Sequence, residues 1–285
     1  MHFARVELWS AVRFPIACAV SVLSMIAGYA VLDRVVIGSL VGFEATGQLL
    51  LLVFSIATLL VGGIGAAQQV RPAAIPAFLL TVQAGFATAA LAVSSWEANS
   101  GFRRDLSLPT LPSGASSALL VLGTGVLAAC GLSAALTYLE RRARSLEHVD
   151  ELRGLIRQDV PAALCCAVAL GLFCGFPPLA GFWSRLLVLL SVLRVHVESS
   201  AGDALSPHAA FVVLAGALLL STLLIAVVCL RVLTVLFLDE PTGRVQPGGR
   251  NGALCAAVLV ALTGLALGLL PGPLIGALGR LVTGN

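Results

Sequence analysis

The chain has 285 residues and a formal net charge of +3; 59% of its residues are apolar and 11% charged, with a mean hydropathy of +1.02. A water-soluble domain carries about 25% charged residues, so this composition excludes one and defines a polytopic membrane protein. The small net charge argues against a nucleic-acid partner.

A membrane helix takes about 20 predominantly apolar residues, fewer when it is short or broken. In chain order the sequence predicts spans over 14–32, 48–67, 73–94, 116–139, 160–175, 179–195, 208–237 and 252–278. The basic N-terminus and the first apolar run imitate a signal peptide. No small-residue cleavage site follows, and the run continues to Leu32, so it is read as the first helix. Between the third and fourth spans, "SSWEANSGFRRDLSLPTLPSG" is rich in Ser, Pro and charge and reads as an irregular surface loop. After the fourth, "ERRARSLEHVDELRGLIRQDVP" places Leu146, Val149, Leu152, Leu155 and Ile156 at helical spacing, which predicts an amphipathic helix at the interface. Its arginines Arg141, Arg142, Arg144, Arg153 and Arg157 give the strongest positive-inside signal in the chain and place it in the matrix or cytoplasm. Only "FPP" separates the fifth and sixth spans, which are therefore two helices or one discontinuous element. The expected class is an all-α polytopic membrane protein of about seven to eight transmembrane helices.

All 17 basic residues are arginine. Arginine stays protonated, whereas a buried lysine can be driven toward neutrality, so lysine chemistry is absent. Within the predicted spans only Arg185 and Arg231 are clearly inside, and Arg194 reaches the end of its helix and snorkels. Ser55, Thr58, Thr81 and Gln83 are read as helix-helix hydrogen-bonding groups. The seven cysteines lie in apolar runs without CxxC spacing or a nearby histidine, which indicates small core hydrophobes and no metal site. No GxGxxG, Fe–S cysteine spacing or nucleophile with a base is present, so no catalytic residue is expected.

The stretch "CGFPPLAGFWSR" resembles the signature GxPPxxGFxxK of antiporter-like chain 2 of NADH:ubiquinone oxidoreductase, respiratory complex I. The matching positions are Gly175, Pro177, Pro178, Gly181 and Phe182, and Arg185 falls on the family lysine. "VDELRGLIRQDVPAAL" and "LLLSTLLIAVVCLRVLTVLFLDEP" resemble the family's flanking loop and next helix. "GGIGAAQQVRPAAIPAFLLTVQAGF" resembles an earlier family stretch through Gly62, Gly65, Ala66, Gln69, Gly85 and Phe86. At the N-terminus His2, Glu7, Pro15 and Arg34 fall on family positions, while Met25 stands where the family has its first pumping lysine. A Lys-Arg pair of the family is replaced by Ala73 and Ala74.

The resemblance implies a C-terminal portion of that chain, with an antiporter-like fold lacking the first six helices. Residues 1–285 would form a single transmembrane domain: 1–70 a remnant of the first antiporter repeat, 71–238 the second repeat, and 239–285 a loop and the last helix. It implies partners among the complex I membrane subunits and in lipid, with the missing helices supplied by a separate polypeptide. NADH, FMN, Fe–S clusters and ubiquinone would belong to the assembly, none bound by this chain. Met does not titrate and Arg stays charged, so the chain's own proton channel is expected to be degenerate and its role structural or coupling. Arg185 would pair with a carboxylate of a missing helix. The alternative is a subunit of a multisubunit cation/proton antiporter. The mitochondrial inner membrane is the expected location, with a bacterial plasma membrane as the alternative.

Overall fold

A computed structural model of the chain describes residues 2–35, 44–99, 113–140, 148–198, 208–240, 252–272 and 276. Among the described residues the regular structure is entirely helical: α1 (His2–Ala11), α2 (Phe14–Arg34), α3 (Glu44–Ala67), α4 (Ala74–Asn99), α5 (Gly114–Glu140), α6 (Leu155–Gln158), α7 (Val160–Cys174), α8 (Ala180–Glu198), α9 (His208–Phe237) and α10 (Gly252–Leu269). Six of them, α2, α3, α4, α5, α9 and α10, are long and apolar enough to cross a membrane. The other two predicted segments are α7, whose 15 residues fall short of that length, and α8. The most charged part of the predicted Ser/Pro loop, the three arginines Arg141, Arg142 and Arg144, Leu146 and the end of the last span lie outside the described residues.

Local chemistry sets the helix boundaries. Proline stands in the first turn of α2 and of α7, where a missing N–H costs nothing. Asp159 caps α7, its carboxylate accepting from the Ala162 N–H at 3.3 Å, and it also accepts from the Tyr138 hydroxyl of α5 at 2.7 Å. Ahead of the first predicted span the structure adds α1. Trp9 of α1 is buried, donates to Ser21 Oγ of α2 at 2.9 Å and packs on Phe14, holding α1 against the bundle.

Helix α4 is the centre of the bundle, with 83% of its membrane window buried, and α10 is the rim, with 17%. Helix α4 packs on α3, α5 and α8; α9 packs on α3 and α8; α10 packs on α5, α7 and α8. Large apolar side chains of α2, α3, α9 and α10 point outward, such as Leu23, Phe54, Leu223 and Leu262. In a membrane such faces meet lipid or neighbouring helices.

The predicted amphipathic helix is corrected over 148–158. Val149, Leu152 and Leu155 do turn inward, but they sit on a 3₁₀ turn (Val149–Leu152) and on α6, separated by Gly154 at φ 63°. The left-handed residue ends the first turn, and the freed backbone groups bond elsewhere. Val149 N–H donates to Val70 O at 2.9 Å and Gly154 N–H to Val235 O at 3.1 Å. Arg153 bridges Asp150 at 2.9 Å and Asp239 at 3.3 Å. The segment is thus a clasp that ties the α3–α4 turn to the end of α9.

Candidate functional site at a buried arginine

The "FPP" motif divides α7 from α8. Gly175 closes α7 in the left-handed region at φ 75°, a conformation that favours glycine, and its N–H returns to Gly171 O. The Pro177–Pro178 peptide is cis, and both prolines and Phe176 lie on the exposed side of the turn. Gly181, in the first turn of α8, meets the α7 backbone directly: a Cβ there would stand 2.0 Å from the Leu172 carbonyl oxygen. A Cβ on Gly175 would stand 2.5 Å from Arg185 Cδ. Gly175 therefore leaves the space in which the arginine stem runs, and Gly181 lets α8 approach the α7 main chain. Phe182 is half-buried and lies edge-on to Trp183, with ring centroids 5.6 Å apart. Trp183 Nε1 donates to Gly268 O of α10 at 2.9 Å.

Arg185 is 6% exposed. Its Nη1 donates to Thr222 Oγ1 of α9 at 3.1 Å, and its Nη2 donates to the Phe173 carbonyl near the end of α7. The guanidinium carbon lies 4.6 Å from the centroid of Phe86 on α4. Nε has no partner. No carboxylate pairs with Arg185 among the described residues. Burying a charge without a counter-charge costs several kcal/mol in real proteins, so the electrostatics of this site are incomplete with carboxylates alone.

Two thiols lie on the adjoining helices. Cys174, the last residue of α7, is half-buried, and Cys229 of α9 is buried. Cys229 Sγ donates to Leu170 O at 3.4 Å. The seven cysteines are all free.

Met25 sits against a different group. It is buried on α2, and a Cβ on Gly125 of α5 would meet Met25 Cε at 3.6 Å and Gln83 Cβ and Cγ at 3.4 Å. Gln83 is fully buried and neither amide atom has a partner. Of the polar residues predicted to join helices, Ser55 does so, donating to Gly85 O of α4 at 2.9 Å, whereas Thr81 bonds to Ala77 O of its own helix. Arg231 is exposed on α9 and lines a small cavity with Ala66, Gln69 and Val149, near the clasp.

Fold and site together define a multi-pass helical membrane protein with an interrupted helix pair over a buried cation. The chain belongs to the family described as "NADH:quinone oxidoreductase/Mrp antiporter, TM", whose sequence profile matches residues 11–201. NADH-quinone oxidoreductase subunit N of Herminiimonas arsenicoxydans is 25% identical over 252 residues, covering 88% of this chain and 47% of the relative. Subunit N 2 of Roseiflexus castenholzii is 27% identical over 285 residues, covering 100% and 52%. A chain of respiratory complex I from Thermus thermophilus with bound NADH has the same fold, with a TM-score of 0.70 at 22% identity over 94% of this chain and 52% of that one. A chain of the Mrp complex from a Dietzia species gives a TM-score of 0.73 at 18% identity over 95% and 53%. The chain thus spans about half the length of the curated relatives it matches.

Proposed function

We propose that this chain is a membrane-arm subunit of a respiratory complex I, corresponding to the C-terminal portion of its antiporter-like subunit N, also called chain 2. The observation that carries the reading is Arg185, a permanent cation held inside the bundle at the position where the family signature has lysine. The similarity to subunit N of several bacteria supports it. The sequence has no lysine and the site, among the described residues, holds no carboxylate to exchange protons with, so the role is structural and coupling, with the chain's own proton channel degenerate. The redox cofactors of such an assembly, NADH, FMN, Fe–S clusters and ubiquinone, would be borne by its other subunits.

In this reading α7 and α8 are one discontinuous traverse. The clasp brings the start of α7, the α3–α4 turn and the end of α9 to one membrane face. A single crossing by α9, 30 residues long, puts its start at the opposite face, so α7 and α8 together carry the chain across once. The bacterial origin of the named relatives favours the plasma membrane over the mitochondrial inner membrane. The half of the relatives' length that this chain does not span, on another polypeptide or the same one, would seat against the outward faces of α2 and α3.

Affinity purification of the tagged chain from native membranes tests the proposal. Co-purification with flavin- and Fe–S-bearing subunits is expected. Recovery with a small antiporter assembly instead would overturn it in favour of a cation/proton antiporter subunit, whose fold the chain also shares.

A further inference from the structure

Arg231 stands on the outward side of α9 among apolar side chains, with Val227 55% and Leu230 63% exposed around it. It makes no hydrogen bond or ion pair among the described residues, and a cation on a lipid-facing helix has to reach an anion or water. We propose that Arg231 binds the phosphate of an anionic phospholipid in the groove between α3 and α9. The inference goes beyond the preceding reading and holds whichever assembly takes up the chain.

Three observations carry it. The first is depth. Helix α9 is 30 residues long, about 45 Å. Its midpoint falls between Thr222 and Leu223, and Arg231 lies about 13 Å beyond it along the axis. Half of the hydrocarbon core is about 15 Å thick, so the Arg231 backbone lies just inside the boundary and its stem carries the guanidinium to the level of the phosphates.

The second is shape. Arg231 lines a cavity of about 30 Å³ with Ala66, Gln69, Val149 of the clasp and Val227. That room suits one or two small polar groups, such as the oxygens of a phosphate, and leaves the acyl chains outside, along Leu223 and Leu230. Gln69, just past the end of α3, is half-buried, and its side-chain amide offers a second donor to the same oxygens.

The third is charge. The carboxylates of Asp150 and Asp239 are already bridged by Arg153, while Arg71 of the α3–α4 turn and Arg157 of α6 add exposed cations on this face. Glu151 and Glu240 share the face but line no part of the cavity. The arginines of the clasp segment put this face on the cytoplasmic or matrix side, where anionic lipids make the membrane surface negative. The planar fork of a guanidinium matches a phosphate in geometry as well as charge.

Native mass spectrometry of the full chain in mild detergent, with lipid added in rising amounts, tests the proposal. The first phosphatidylglycerol should bind about fivefold more tightly than phosphatidylcholine, the worth of one basic residue at a membrane surface. Arg231→Gln should abolish that preference and Arg231→Lys should keep most of it. Arg34→Gln, at the exposed end of α2, is the control for an arginine that merely lies at the interface and should leave it unchanged. Equal phosphatidylglycerol binding in wild type and Arg231→Gln, or equal weakening by Arg34→Gln, overturns the proposal. So does displacement of the lipid by inorganic phosphate at an ionic strength where sodium chloride has no effect, which gives the cavity to a free anion. Should Arg231→Gln fail to fold, the wild type decides: phosphatidylcholine binding as tightly as phosphatidylglycerol overturns the proposal.

Discussion

Substituting Gly181 by alanine tests whether α7 and α8 are held backbone to backbone. The added Cβ would stand 2.0 Å from the Leu172 oxygen, 2.8 Å from its carbonyl carbon and 3.1 Å from its Cα, against 3.4 Å where ordinary contact begins. Every atom it meets is main chain, so no rotamer change relieves the clash, and the helices have to part by about an ångström. Overpacking of this kind costs about 1–3 kcal/mol, and the rigidity of both partners puts Gly181→Ala at the upper end, about 3 kcal/mol, or over a hundredfold in the unfolding equilibrium. Gly123→Ala is the control, because a Cβ there has nothing within 4 Å. The assay is reversible unfolding of the purified protein from mixed micelles by sodium dodecyl sulfate, followed by circular dichroism. A Gly181→Ala protein within about 0.5 kcal/mol of Gly123→Ala would refute the close approach, since changes away from packed features fall in that range.

Two smaller effects are measurable in the same assay. Ser55→Ala removes the hydroxyl that joins α3 to the Gly85 carbonyl and should cost about 0.6 kcal/mol, the usual worth of such a bond in a membrane; no change would mean that the carbonyl is satisfied without it. Tyr138→Phe removes the donor to the Asp159 carboxylate and should cost about 2 kcal/mol, as bonds to charged groups do, with early fraying of α7 in amide exchange. Unaltered exchange at Ala162 would show that Asp159 holds the cap unaided.

Much of the fold was legible because lipid imposes length and apolarity on a spanning helix, and the predicted spans map closely onto α2 to α5 and α7 to α10. The motif glycines were legible too, since left-handed closure at Gly175 and close contact at Gly181 require that residue. Arg185 stood out because a charge in an apolar run is rare. Its surroundings did not: Phe86, Phe173 and Thr222 come from three different helices, and no spacing within one segment brings them together. Gln83 was read as a link between helices, yet its amide has no protein partner, because which face a uniformly apolar helix turns inward is set by packing rather than periodicity. The clasp was misread as one helix for a related reason. Its apolar spacing was sound, but Gly154 and the bonds to Val70 and Val235 override it.

Gly268 gives the rim helix a mechanical role. A Cβ on it would lie 2.0 Å from the Pro178 oxygen and 2.6 Å from Ala180 N, so α10 rests its main chain on the turn between α7 and α8. Trp183, two residues before Arg185, reaches back to the same glycine. With few side chains to cushion that seat, displacement of the turn is transmitted to α10 instead of being absorbed. Leu259, Leu262 and Leu269 of α10 face outward, and whatever they touch would register a strain that begins at the arginine. The least buried helix of the bundle is thus built as a lever whose short arm ends in its interior.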